Sequence, residues 1–324
     1  MIRVFVVIGI GIVLGFLLLD YLYKKTNDYK NQRIDIRAFD EGMQDELQIV
    51  NLGSTYSKYA FGASRKLQLK WGDFSLQSQS LEMDYSILKK NVDKIVPNGV
   101  VVVVAAACLM LYKETKPNYL YYEILKKNEN PEYSLMQKVK SKVPLLNRPK
   151  RAISIFLDKF PYTSVYDNYP NMLSKEQSED ELLDLVNVWK KLFGLKDMKS
   201  VELSDNIMNN IQYNQKMLNK IFDCCFEHNL QPVVVVPPFS ERLNNFFSDE
   251  FEDTVINQKI KECINGREIL YLNYQNDDYF QQRTELFCDG GFRLNERGSN
   301  IFIRRVLADL EMEGYKLDNL LVKC

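Results

Sequence analysis

Apolar positions fall into three patterns along the chain. The first is a block: Val4 to Leu19 (VFVVIGIGIVLGFLLL) runs 16 residues without a polar side chain. With Ile2, Tyr21, Leu22 and Tyr23 it approaches the roughly 20 residues that a bilayer-spanning helix needs. The second pattern is short β-rich runs, which predict strands at Leu47–Leu52, Val100–Ala106, Val233–Val236 and Ile269–Leu272. The unbroken valines at 100–104 and 233–236 fit strands buried on both faces of a parallel sheet. The third is helical spacing, carried by Leu81-Met83-Ile87-Leu88, by Leu182-Leu185-Val186-Trp189 and by Ile207-Ile211-Met217-Leu218-Ile221-Phe222. A last helix is predicted from Glu296 to about Glu313, with Asn295 as its N-cap and Gly314 as its stop.

Strands alternating with amphipathic helices predict an α/β fold with a parallel sheet between helical layers. The organisation expected is a membrane anchor at 1–23, a polar link at 24–45 and an α/β domain at 46–324. One segment, 109–174, breaks the alternation. It interleaves Tyr112, Tyr119, Tyr121, Tyr122, Tyr133, Phe156, Phe160, Tyr162, Tyr166 and Tyr169 with lysines and prolines, the composition of a loop-rich insertion or lid. Its aromatic faces suit sugar rings or a membrane interface; equally, they suit packing onto the core.

For the apolar block, anchor, cleaved signal peptide and buried core helix are the alternatives. No small-residue cleavage pattern follows it; the chain continues Asp20-Tyr-Leu-Tyr-Lys-Lys, with tyrosines where a membrane interface would hold them. This favours an uncleaved single-pass anchor through residues 4–23, with the bilayer as its partner. Lys24, Lys25, Lys30, Arg33 and Arg37 follow it, and the positive-inside tendency would keep the large domain cytoplasmic.

Composition narrows the chemistry. The 42 Lys+Arg and 43 Asp+Glu leave a net charge of -1, which argues against a nucleic-acid partner. A single histidine, His228, rules out a poly-histidine metal centre. It ends a helix and precedes a strand, the amino edge of a parallel sheet, where a dipole favours it without any catalytic role. Cys225 and His228 have the spacing of half a zinc site, but no second half follows. The six cysteines are irregularly spaced, and no motif points to a metal or a cofactor.

Two stretches carry candidate chemistry. Asn51-Leu-Gly-Ser-Thr-Tyr-Ser follows the first predicted strand, so its hydroxyls fall at the crevice where open α/β sheets bind ligands. Phe287-Cys-Asp-Gly-Gly-Phe-Arg-Leu-Asn-Glu-Arg-Gly precedes the last helix. Together they resemble the SGNH/GDSL-like hydrolases, particularly the membrane-anchored branch that modifies bacterial surface polysaccharides and cell walls. The resemblance spans roughly residues 45–313 and implies a flavodoxin-like three-layer sheet. It puts Gly53-Ser54-Thr55 on the family's nucleophile turn, with Thr55 at the nucleophile position and Ser54 beside it. Asp289 falls on the family's aspartate, and Leu294-Asn295-x-x-Gly298 on its L-N-x-x-G block. Where the family has its histidine this chain has Arg293, which stays protonated and cannot act as a base. The family's oxyanion-hole blocks also have no counterpart in Phe74-Ser-Leu-Gln-Ser-Gln-Ser or in Ala105-Ala-Ala-Cys-Leu-Met.

The resemblance thus implies two functions. One is an esterase or O-acyltransferase acting on a glycan, with Thr55 or Ser54 as nucleophile, Asp289 nearby and a membrane acyl-transfer partner. The other is a catalytically inactive member that binds an acylated carbohydrate or scaffolds a membrane complex. Arg293, Asn295, Gly53 and Ser240, which follows the strand at 233–236, are the candidate substrate-binding residues; equally, Pro237-Pro238 ends that strand and Ser240 caps the next helix. A sugar-nucleotide enzyme on the same fold would need a better phosphate loop or acidic motif than Gly290-Gly291 and Asp277-Asp278.

Overall fold

The structure, a computed structural model, describes residues 2–66, 70–105, 109–111, 113, 121–131, 133–164, 178–289 and 291–315. Along the chain its regular elements are α1 (Ile2–Tyr23), α2 (Asn27–Gln32), α3 (Ile34–Gly42), β1 (Leu47–Leu52), α4 (Thr55–Phe61), β2 (Trp71–Asp73), α5 (Leu81–Asn91), β3 (Ile95–Val104), α6 (Tyr121–Ile124), α7 (Leu135–Lys142), α8 (Glu179–Phe193), α9 (Asp205–Glu227), β4 (Gln231–Val236), α10 (Glu241–Asn244), α11 (Asp249–Phe251), α12 (Gln258–Ile264), β5 (Leu270–Asn273), α13 (Asp278–Gln281), β6 (Phe287–Asp289), β7 (Arg293–Leu294) and α14 (Glu296–Met312). They fall into two compact units. One joins Met1–Ala38 to Lys116–Asn168, and the other joins Phe39–Thr115 to Tyr169–Cys324.

The larger unit is an α/β domain built on a parallel five-stranded sheet of order β2-β1-β3-β4-β5. Because side chains alternate along a strand, the valines of β3 and β4 divide between the two faces. Val100, Val102, Val104, Val233 and Val235 join Ile49 and Phe61 in a core closed by Phe302, Ile303, Val306 and Leu310 of α14. Val101, Val103, Val234 and Val236 are equally buried and point to the other face, on the side of α9, against which α5 and α12 both pack. The faces change between β1→α4→β2 and β2→α5→β3, as right-handed crossovers running in opposite directions require. The join between β1 and β3 is therefore the switch point of the sheet.

β1 matches the predicted strand, whereas β3 starts at Ile95 rather than Val100, and β4 and β5 shift by one or two residues. Ala106 lies outside the described residues. β2 had no periodic signal because it is three residues long and pairs on one side only. α14 begins as read: the Asn295 side chain accepts from Gly298 N at 2.9 Å, and Gly314 follows its end at φ +86°.

The smaller unit departs from the sequence reading. Residues 24–45, read as a polar link, carry α2 and α3. The described part of the 109–174 insertion is α6, α7 and two 3₁₀ turns, Pro144–Leu146 and Pro149–Ile155. The two segments build one core, in which Tyr23, Ile36, Tyr121, Tyr122, Leu125 and Leu145 are buried. Buried charge secures it: Asp20 accepts from Leu145 N at 3.0 Å and pairs with Lys24 at 2.6 Å, while Asp28 pairs with Arg151 at 2.6 Å. Tyr121 and Tyr122 of the insertion thus pack inward. Phe156, Phe160 and Tyr162 face solvent, and Tyr112, Tyr119, Tyr166 and Tyr169 lie outside the described residues.

Above this core, α1 exposes its apolar side chains from Val4 to Leu19 apart from a half-buried Phe16, and only 6% of its most apolar window is buried. That excludes the core-helix alternative. It is a helix of 22 residues, long and apolar enough to cross a membrane.

Candidate functional site

A cavity of about 310 Å³ opens in the α/β domain at the carboxyl ends of β1 and β3. This is the switch point, where the outward-splaying connections of a doubly wound sheet leave a crevice. Its polar side is formed by Ser54, Thr55, Ser78, Gln79 and Arg293. Its apolar side comes chiefly from α8, through Leu185, Val188, Trp189, Leu192 and Phe193, with Phe292 closing the end. Trp189 and Phe292 meet edge to face at 5.1 Å, and both stack near Tyr56, so a rigid aromatic group holds the wall.

The turn after β1 places Ser54 and Thr55 there. Gly53 sits at φ +124°, and a Cβ on it would lie 3.0 Å from Ser57 Cβ and 3.2 Å from Val104 Cβ, so only glycine fits. Its N–H donates to Asp84 Oδ1 at 2.8 Å, which locks the turn and turns this donor away from the cavity. Asp84 is wholly buried, and desolvation raises its carboxyl to about 7 against the opposing hydrogen bonds of Gln79 and Gly53. Asp84 Oδ2 and Gln79 Oε1 are buried without a hydrogen-bond partner. Gln79, 1% exposed, borders the cavity from behind its surface, where its amide holds Phe74 O at 2.9 Å and Asp84 Oδ1.

Beneath the turn lies a polar network. Asn51 donates to Ser57 Oγ and to Asp73 Oδ1, each at 2.9 Å, and accepts from Trp71 Nε1 at 2.7 Å. Asp73 also binds Ser75 and is paired with Arg65. The Asn51, Ser57, Trp71, Asp73 and Ser75 side chains satisfy one another in this way and hold the carboxyl ends of β1 and β2 in register.

Of the predicted site residues, Ser54, Thr55 and Arg293 come together at the cavity, with Gly53 behind them. The Arg293 guanidinium lies over the rings of Phe292 and Tyr59, at 4.8 and 5.2 Å. Asp289 ends β6 opposite Arg293; its side chain lies outside the described residues. Ser240 and Asn295 are not brought to the cavity. Ser240 is buried and caps α10, its N–H donating to Gly291 O at 2.7 Å. Asn295 spends its oxygen on Gly298 N and its amide on Glu285 O at 2.6 Å. A Cβ on Gly298 would lie 2.3 Å from Leu286 O. Leu294, Asn295 and Gly298 therefore have a complete explanation in how α14 starts and how closely it approaches the chain before β6.

His228 is the C-cap of α9, exposed, with Nδ1 2.8 Å from Cys224 O, and three residues ahead of β4. The chain's single imidazole is thus on the amino edge, opposite the cavity. Cys225 is buried and its thiol is pushed up by desolvation. Among the described residues no three metal-ligating side chains converge.

Sequence reasoning missed Ser78, Gln79 and the α8 wall. The polar run after Phe74 was a signal for the first two, because it follows a strand's carboxyl end. For α8 the signal was a surplus of apolar positions: Leu185, Val188 and Leu192 flank the core stripe Leu182, Val186, Trp189 and Phe193. The chain matches no protein-family model and no curated protein.

Proposed function

We propose that the chain is a membrane-anchored relative of the SGNH/GDSL-like hydrolases, on a flavodoxin-like sheet, that binds an acylated carbohydrate without running serine–histidine chemistry. One observation carries this reading. The switch-point cavity opposes an apolar wall from α8 to a polar side of Ser54, Thr55, Ser78, Gln79 and Arg293, while the only imidazole is at the far edge. An apolar wall suits an acyl chain, and the hydroxyl-bearing residues Ser54, Thr55 and Ser78 suit a sugar. Arg293, always charged, adds attraction for an anionic group but offers no base.

The anchor reading is supported by the last turn of α1. Asp20 and Tyr23 are core residues of the smaller unit, so cleavage behind the apolar block would cut into a folded core. A second reading, an esterase or O-acyltransferase with Thr55 or Ser54 as nucleophile, is favoured by the position of both hydroxyls on the cavity beside Arg293.

The full chain in lipid nanodiscs separates the two. Titration with hexyl glucoside should change the fluorescence of Trp189, which lines the cavity, and a fluorophosphonate serine-hydrolase probe should leave wild type unlabelled. Labelling that disappears in Ser54→Ala or Thr55→Ala would establish the enzyme instead; an unchanged Trp189 signal would count against the binding reading.

A further inference from the structure

The smaller unit presents a surface that its own fold does not explain. Leu135 and Met136 of α7, Ile153 of the 3₁₀ turn at 149–155, and Phe156, Leu157 and Phe160 after it are all more than half exposed, Phe156 at 77%. Folding normally buries such side chains, and a cluster of them marks an interaction surface. They alternate with cations: from Ser134 to Thr163 the chain has seven Lys or Arg and one Asp, in a protein whose net charge is -1. That Asp, Asp158, is used internally, accepting from Asn27 N at 2.6 Å. Lys142, Arg148, Lys150 and Lys159 are exposed.

This surface is tied to the end of the apolar helix. Asp20 binds Leu145 N, the Lys24 ammonium donates to Lys142 O at 2.6 Å, Ser154 Oγ donates to Asp28 at 3.0 Å, and Asn31 donates to Pro161 O at 2.8 Å. Residues 142–161 are therefore fastened within the first turns of chain after α1. Exposed aromatic and aliphatic side chains set among lysines and arginines, beside the exit of a membrane helix, match the chemistry of a bilayer interface carrying anionic headgroups.

We infer that the 134–163 surface is a second membrane contact, which seats its apolar side chains in the headgroup region of an anionic bilayer next to α1. The inference rests on the anchor reading. It assigns the exposed half of the aromatic insertion to lipid rather than to glycan.

The test uses the full chain with Phe156→Trp, a substitution at an exposed site. Both native tryptophans are more than nine-tenths buried, so the difference spectrum between variant and wild type reports position 156. The protein is reconstituted into vesicles of phosphatidylcholine alone and of phosphatidylcholine with phosphatidylglycerol. Flotation of the wild type after carbonate treatment checks the anchor separately. The expected result is a blue-shifted emission from the introduced indole, quenched by lipids brominated on their acyl chains. It should be strongest with phosphatidylglycerol and reduced when Lys142, Lys150 and Lys159 are changed to Glu. A chain that floats but keeps a water-like emission from position 156 overturns the inference and leaves the anchor standing. A blue shift without quenching overturns it in favour of a protein partner or a second copy, and equal quenching in both vesicles overturns the headgroup selectivity. A chain that does not float removes the anchor and this inference together.

Discussion

Asp84 shows at the scale of one residue how burial redirects an ordinary side chain. In the unfolded chain its carboxyl titrates near 3.9, whereas desolvation in the fold raises it to about 7. The folded state therefore holds a proton that the unfolded state releases. The stability linked to this group is complete below about pH 4 and is lost as pH rises through about 7. Asn at this position keeps an oxygen for the Gly53 N–H and carries no titrating proton. Asp84→Asn should thus be more stable than wild type at pH 8, by on the order of a few kcal/mol, with the difference shrinking toward pH 4. Urea denaturation across that range checks it, and parallel profiles for the two proteins would refute it. Glu252, raised to about 6 by burial, slopes in the same direction in both proteins and cancels in the comparison. None of this was readable beforehand, because Asp84 sits in the first turn of a helix where an acidic residue is routine.

Among the elements, α8 does two tasks with two stripes. Ser178 and Glu181 form a capping box at its start and Gly194 closes it in the left-handed region, so the helix is well delimited without help from the cavity. Its core stripe, Leu182, Val186, Trp189 and Phe193, is buried. Val188 and Leu192 line the cavity yet remain 60% and 53% exposed, so little folding energy depends on them. Val188→Ser with Leu192→Ser should change stability by less than about 1 kcal/mol, because surface changes away from special features are usually small. A ligand chain that covers both would lose about 1 kcal/mol of contact at each, weakening binding of hexyl glucoside by roughly tenfold or more. A thermal melt paired with the Trp189 titration checks this. Unchanged affinity would show that the wall is not where the ligand's apolar part lies.

For the whole molecule the decisive feature is that the chain returns to its own beginning. Residues 116–168 leave the α/β domain after β3 and close a core with residues 1–38, which puts the apolar helix and the aromatic insertion in one unit. The one described helix long and apolar enough to cross a membrane thus belongs to the smaller unit and not to the α/β domain. Ile10→Arg with Val13→Arg places two cations at exposed positions near the helix centre, each costing about 2.5–3.5 kcal/mol of insertion. The variant should shift from the carbonate-resistant membrane fraction to the soluble fraction while keeping the far-UV dichroism of the α/β domain. Retention in the membrane fraction at the wild-type level would contradict a span through α1.

By itself the sequence determined what local pattern encodes: the apolar span, the valine strands, the α8, α9 and α14 helices, and the exclusion of an imidazole from the β1 edge. Each follows from burial repeating every two or 3.6 residues, or from the chain direction of a parallel sheet. Only the tertiary structure decided that the polar link is part of a core, that Ser240 and Asn295 stay away from the cavity, and that α8 walls it. Those outcomes rest on partners far apart in the chain, such as Asp20 with Leu145 N across 125 residues. Such a pairing leaves no periodic trace, because packing of the finished fold selects it and neighbouring residues do not.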